Sequence, residues 1–505
     1  MNQVKTGAVL NYLIIGLNAL VGLLYTPYML RMLGQNQYGL YSLVASIIAY
    51  LTLLDFGFGP TVVRYTAKYR AEGRLSEQYS LFGLFLTLYS VIGIVAFIVG
   101  LMLYFNIDRL FDHTMTIEDL NQARVMILLL LFNLAFTFPM SIFGSIITAY
   151  EKFIFQKTLL ILRIVLSTAV LVAILYLGYK AVAMVIVQTS FNVTLLILNL
   201  LYCKNKLKIE LKFERFRWSF VRELLSFSIW VFLGDIMFKF YYNTGQFVLG
   251  AISGTNEISL FAVGVTLMTM YMMFSSGISG VLLPKVTKMI AMNKSDKDIS
   301  DLFIRTGRLQ FIILGLIIVG FVALGRPFIY LWAGETYSAV YIIALVLFIS
   351  TFIPLIQNVG ILILQARNRQ KFRALILLTV GAVSLVAQIV LSKYYGAIGC
   401  AVAIGIANII GNGVIMNWYY AKFHNIDMFG FWKEIVKLSV VPVILAVSGY
   451  LCIDRITIHT WTGIITGGIV IVATYFGFLW LFGLNSEEKR MLALPFSKLY
   501  KILSR

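Results

Sequence analysis

Apolar residues run along this chain in long blocks, and polar residues mark the gaps between them. Fourteen of the blocks are long enough to cross a bilayer, since about 20 residues at 1.5 Å each cover the ~30 Å hydrocarbon core. They fall at 8–33, 38–60, 80–104, 124–148, 158–178, 181–202, 224–251, 258–283, 309–331, 339–364, 374–393, 397–420, 438–454 and 461–484. The pattern predicts an all-α, polytopic membrane protein with 14 transmembrane helices. The opening residues MNQVKTG run straight into the first block with no small-residue cleavage site after it, so an anchor is expected there and not a removable signal. The longest outer gap, 105–123, has only the length of a connector. The last stretch, 485–505, mixes Leu, Phe and Tyr with Lys489, Arg490, Lys498 and Lys501, which predicts a short amphipathic helix on the cytoplasmic surface.

A repeat at an offset of 220 residues organises these blocks. LGQNQYGLYSLV at 33–44 lies over SGTNEISLFAVG at 253–264, matching Gly34 with Gly254, Asn36 with Asn256 and Leu40 with Leu260. In the same register Gly57 falls on Gly277 and Lys68 on Lys288. Six spans separate the copies, so both have one orientation and are related by an axis along the membrane normal. The expected division is 1–222 as an N-terminal six-helix bundle, 223–437 as a second, 438–484 as an added pair and 485–505 as the tail. Two parallel bundles around a central cavity form a transporter architecture.

Charge fixes the orientation. The chain carries 41 Lys and Arg against 22 Asp and Glu. With the amino terminus inside, the inner segments hold the whole excess of +19 and the outer segments sum to zero, so both termini are expected in the cytoplasm. The same distribution speaks against nucleic acid as a partner, because no loop is long enough to build a folded basic surface. The runs 204–222 and 367–373 are expected against anionic membrane lipids, each charge contributing roughly 1 kcal/mol near the surface. Cys203, Cys400 and Cys452 are an odd, scattered set that forms neither a disulfide framework nor a metal site.

Polar residues at membrane depth are the candidates for chemistry. Asp235, Lys239, Tyr242 and Gln246 follow at spacings of 4, 3 and 4, which puts them on one helix face. Two readings stay open: Asp235 and Lys239 neutralise each other, or Lys239 attracts an anionic headgroup while Asp235 takes up H+ or Na+ as a coupling ion. Asn11, Asn18, Gly22 and Tyr25 share a face of the first span, and Ala401, Gly405, Asn408 and Asn412 a face of the twelfth. Such faces are packing seams or cavity linings. Asp55 and Arg64 flank a glycine-rich span end beside Pro60 and form a candidate cytoplasmic gate, the alternative being a cap and a snorkelling side chain. Arg163 either snorkels or offers a bidentate fork to a phosphate, and Arg31 and Arg326 stand at outer span ends. Pro139, Pro284, Pro354 and Pro442 are bend points. The outer acids Asp108, Asp112, Glu118 and Asp119 with His113 lack metal-ligand spacing, and no GxxxxGK[ST] loop is present, so no metal, cofactor or built-in ATPase is expected.

Four segments in order carry a resemblance that covers nearly the whole chain. LGQNQYGLYSLV with LLDFGFGPTVVRYTAKYR, RPFIYLWAGETYSAVY, LQARNRQKFRALILL and YYGAIGCAVAIGIAN together resemble the Wzx-type oligosaccharide flippases of polysaccharide biosynthesis. These belong to the multidrug/oligosaccharidyl-lipid/polysaccharide exporter superfamily. The resemblance implies a protein of the bacterial inner membrane that is not an enzyme. It would move a polyprenyl-pyrophosphate-linked oligosaccharide from the cytoplasmic to the periplasmic leaflet by alternating access, driven by an ion gradient, with a polymerase or export machinery as possible partners. A cation-coupled multidrug exporter of the same superfamily is the second reading. A membrane glycan polymerase or glycosyltransferase is the third, and the 105–123 loop is poor material for its catalytic acids.

Overall fold

Helices of membrane length account for most of the described residues, as the apolar blocks require. A computed structural model describes residues 3–55, 58–111, 113–213, 222, 239, 242–279, 282–367, 369–452 and 458–490. Eleven helical stretches among these are long and apolar enough to cross a membrane. Their surfaces carry large apolar side chains that water would not tolerate: Leu24 is 67% exposed and Phe482 74%. Lipid is the solvent that suits such a surface, and a helix is the span that satisfies its own backbone there.

The first helix, α1 (Gln3–Leu51), holds 49 residues, about 74 Å at 1.5 Å each and too long for one crossing. Gly34 interrupts it at φ 74°, ψ 169°, a conformation essentially reserved for glycine. There follow α2 (Phe58–Ala71), α3 (Leu75–Phe105), the short α4 (Ile107–Phe111), α5 (Ile117–Ala149), α6 (Phe153–Tyr176) and α7 (Ala181–Asn205). The second part holds α8 (Thr244–Ile252), α9 (Thr255–Ser279), α10 (Leu283–Ala291), α11 (Asp296–Trp332), α12 (Val340–Ile356) and α13 (Asn358–Ala366). It continues through α14 (Gln370–Asn408), a π-helical segment (Ile409–Ile415), α15 (Met416–His424), α16 (Met428–Cys452) and α17 (Trp461–Phe482). Gly396, at φ 53°, ψ −134°, breaks α14 as Gly34 breaks α1.

The backbone repeats the sequence repeat. Among the described residues, eight of the ten with positive φ fall in pairs, Gly34 and Gly254, Gly73 and Asn293, Gly178 and Gly396, and Lys208 and Asn425, while Glu151 and Gly334 have no counterpart near that offset. The pairs are 220, 220, 218 and 217 residues apart, so the register set by the first hairpin slips by only three positions over the whole copy.

The chain packs as two units. One comprises 1–262 with 381–400, the other 263–380 with 401–505. This division cuts across one at 222, because α8, the start of α9 and the residues around Gly396 pack with the first copy. In the first unit α5 packs against α1, α2, α3 and α7. Its start is a reciprocal cap in which Thr116 Oγ1 accepts from the Asp119 amide and Asp119 accepts from the Thr116 amide. Asp119 is buried and also accepts from Asn36 of the first hairpin at 3.0 Å. Gly39 lets that hairpin meet α9, since a Cβ there would lie 1.9 Å from the Thr255 carbonyl oxygen.

In the second unit α11 packs against α12, α16 and α17. Arg308 near the start of α11 is buried and ties them together. Its Nε and Nη2 each donate at 2.7 Å to the buried Glu488 carboxylate, Nη1 donates to Glu434 at 2.8 Å, and Nη2 also to the Gly483 carbonyl at 3.1 Å. Residues 485–490 thereby dock onto α11, and the remainder of the 485–505 tail lies outside the described residues.

Candidate functional site

The first unit holds two of the candidate cations, Arg163 and Lys239. Arg163 is on α6 ten residues past Phe153, about 15 Å along the axis and deeper than the sequence blocks suggest, because the helix starts at 153 and not at 158. It is half-buried, and among the described residues it makes no hydrogen bond or ion pair. A cation at that depth costs about 2.5–3.5 kcal/mol in lipid, so this side chain calls for water or an anion. Nearby on the same helix, Lys157 Nζ donates to Asn11 Oδ1 of α1 at 2.8 Å. Asn18, two turns further along α1, is exposed.

Lys239 is half-buried and engaged with the end of α1. That helix gives way after Leu51 to a 3-10 turn, Thr52–Asp55, which leaves its last carbonyls without helical donors. Lys239 Nζ donates to the Ala49 carbonyl at 2.5 Å and to Thr52 Oγ1, a cation on the negative end of a helix dipole. The hydroxyls of Tyr50 and Thr244 bond to each other close by in sequence. Tyr242 is buried and Gln246 half-buried. Asp235 lies outside the described residues, so its pairing with Lys239 is not on view. Beside this polar cluster is an apolar cavity of about 580 Å³, lined by Ile47, Tyr50, Thr244, Phe247, Leu385 and Ile389 among others.

Asp55 closes the 3-10 turn, and Arg64 follows it on α2. Asp55 is half-buried and, with Ser141, is a hydrogen-bond partner of the Tyr89 hydroxyl. Arg64 is exposed, its guanidinium 5.8 Å from the Tyr65 ring centroid.

The second unit holds amides. Asn412 Nδ2 donates to Asn408 Oδ1 at 3.3 Å within the π-helical segment, and Asn408 is buried. Three partners went unnoticed in the sequence. Asn417 donates to the Asn412 carbonyl at 2.8 Å, Gln357 Nε2 donates to Asn417 Oδ1 at 2.9 Å, and Trp432 Nε1 donates to the same oxygen at 2.7 Å. Gln357 is the residue at which α12 gives way to α13, three positions after Pro354. The signals were there: a proline before an amide, and two glycines, Gly411 and Gly413, around Asn412. A π segment beside a broken helix is a frequent mark of a functional site.

The arrangement offers binding groups and, among the described residues, no catalytic constellation. Comparison with known proteins agrees. Residues 4–290 match the family described as polysaccharide biosynthesis protein. The "uncharacterized membrane protein EpsK" of Bacillus subtilis is 21% identical over 94% of this chain and 94% of its own. A "putative O-antigen transporter" of Shigella flexneri is 21% identical over 78% of this chain and 92% of its own. Among solved structures, a lipid II flippase MurJ in an inward closed conformation superposes with a TM-score of 0.73 at 16% identity, covering 94% of this chain and 99% of that one. An inward-facing multidrug resistance transporter of the MATE family, in the MOP superfamily, gives 0.59 at 14%, over 82% and 99%. The named activities among these proteins are those of transporters and a flippase. With more than half of its length matched, this chain belongs to the polysaccharide biosynthesis protein family, and it is a multi-pass membrane protein that shares the fold of these solved structures.

Proposed function

We propose that the protein flips a polyprenyl-pyrophosphate-linked oligosaccharide from the cytoplasmic to the periplasmic leaflet of a bacterial inner membrane. Its plan is 14 spans: the eleven described stretches, two of them doubled by the breaks at Gly34 and Gly396, and the apolar block 224–251 of the sequence, most of which lies outside the described residues. Two bundles of six alternate in access around a cavity, with an added pair behind the second and both termini in the cytoplasm. The observation that carries the reading is Arg163, a half-buried cation at mid-helix with no protein partner among the described residues. A guanidinium fork suits a pyrophosphate, while the glycan needs the polar faces and the lipid tail the bilayer. Lys239 joins it when released from the α1 end, and Asp235 takes the coupling H+ or Na+. The basic inner segments rest on anionic lipid.

The test is a leaflet assay on liposomes holding the purified protein and a labelled polyprenyl-pyrophosphate oligosaccharide. Protein-dependent movement that responds to a proton or sodium gradient is the expected result. No movement, together with efflux of cationic dyes, would transfer the protein to the multidrug class.

A further inference from the structure

The segment RPFIYLWAGETYSAVY, 326–341, builds a pocket in the second unit. Helix α11 ends at Trp332, where the Ala333 amide closes on the Ile329 carbonyl at 2.8 Å. Gly334 then turns the chain at φ 104°, and a 3-10 turn, Glu335–Tyr337, leads into α12. Trp332 and Tyr337 are buried and pin this corner. Phe328 stacks on Trp332 with centroids 5.6 Å apart and meets Trp461 edge-on at 6.2 Å. The start of α17 is fixed by that contact, and the residues before it, Ile458 and His459, are brought over the corner.

The result is a cavity of about 620 Å³ lined by Arg326, Tyr330, Glu335, Ser338, Tyr341 and His459 among others, within the size range of small-ligand pockets. The Arg326 guanidinium lies over the Tyr341 ring, 5.4 Å from its centroid, and the Tyr341 hydroxyl donates to the Val322 carbonyl at 3.2 Å, which sets the ring's orientation. Tyr330, Glu335, Ser338 and His459 are exposed into the open side. An aromatic wall, a guanidinium, a carboxylate and a hydroxyl within one cavity present flat apolar surface with strong donors and acceptors at its rim. Glu335 repels a pyrophosphate, so the cation here does not serve the lipid phosphate. A neutral sugar fits both features: its C–H face covers a ring, and its hydroxyls pair with charged planar groups.

Position supports the choice. Arg326 stands 18 residues beyond Arg308 on the same helix, about 27 Å away and so across the hydrocarbon core from the basic end. By the positive-inside rule this is the outer face. We propose that the pocket binds a neutral sugar unit of the glycan as it reaches the outer side, and that the added helix pair exists in part to supply its His459 wall. The proposal rests on the flippase reading.

Saturation-transfer NMR on the full chain in phosphatidylcholine nanodiscs tests it, with the methyl glycosides of glucose, galactose, rhamnose and N-acetylglucosamine as probes. Saturable binding of at least one glycoside is expected. Tyr330→Ala or Glu335→Gln should weaken it at least tenfold and His459→Ala at least threefold, with Lys297→Ala unchanged. All four positions are exposed, so the variants are expected to fold. No saturable signal from any probe, a signal that survives all three substitutions, or one displaced by glycerophosphoethanolamine, as a lipid-headgroup site would show, overturns the proposal. Flipping without glycoside binding removes the pocket alone. Glycoside binding without flipping removes the flippase reading and leaves the pocket.

Discussion

Helix α5 of the first copy and the α12–α13 pair of the second occupy equivalent places, yet the same kind of residue leaves one whole and the other broken. Pro139 sits inside 33 unbroken residues. The carbonyl it deprives of a donor, Ala135 O, lies against α3 at a glycine: a Cβ on Gly93 would come within 3.0 Å of it. Pro354, by contrast, is followed within three residues by the break at Gln357. The break leaves the Leu355 carbonyl to a side chain, Ser275 Oγ donating to it at 3.0 Å, and just beyond it Asn358 Nδ2 donates to Ser279 Oγ at 2.9 Å. A proline kinks or breaks a helix according to what else can satisfy the carbonyls it frees. The first unit thus keeps α5 whole and carries Lys157, Arg163 and Lys239. The second carries its amides at a broken helix and a π segment. On the proposed function, the first copy would supply charge for the ligand and the second the joints for the motion.

Breaking the charged side of that contrast gives the largest expected effect. Arg163→Ala should lower the flipping rate at least tenfold with little change in melting temperature, Arg163→Lys should recover part of it, and Lys297→Ala should stay within about twofold, all read in the liposome assay. Unit two has its own buried cation, and the comparison predicts the opposite pattern there. Arg308→Met leaves Glu488 buried and unpaired and should cost about 3 kcal/mol. A lowered melting temperature in detergent, with normal flipping per folded molecule, is the expected outcome. Loss of flipping at unchanged stability would erase the distinction between the two cations.

The sequence shows the fold more readily than the site. The apolar blocks and the Gly34–Gly254 match are local signals, and both glycines are left-handed in the structure. The depth of Arg163 is misjudged from hydropathy because Gln156 and Lys157 depress the window although the helix already runs through them. The Arg308 cluster joins residues 126 and 180 positions apart, which no periodicity links. Asn408 and Asn412 stand out as polar residues on an apolar face, but their partners Gln357 and Trp432 come from other helices.

A smaller effect should sharpen the joint assignment. Gln357 and Asn417 exchange amide hydrogen bonds at 2.9 and 3.3 Å between the helix break and the end of the π segment. Gln357→Ala, Asn417→Ala and the double variant make a cycle with an expected coupling of about 1 kcal/mol in stability. The flipping rate should change severalfold in the same variants. Additive stabilities with an unchanged rate would make the amides mere packing.

The smallest effects concern the turns that the two copies share, and here the copies differ in residue type. Gly34 combines φ 74° with ψ 169°, where a Cβ costs of order 1–3 kcal/mol. No neighbour blocks the space a Cβ would occupy, so Gly34→Ala reports backbone strain alone and should lower the stability by that amount, read as a lower melting temperature. Asn293 holds the place of Gly73 at φ 49°, a region that asparagine visits at small cost. Asn293→Gly should therefore be neutral within about 0.5 kcal/mol, relief of the Cβ being offset by greater freedom in the unfolded chain. If Asn293→Gly proved as costly as Gly34→Ala, side-chain contacts and not backbone conformation would be what the repeat preserves at its turns.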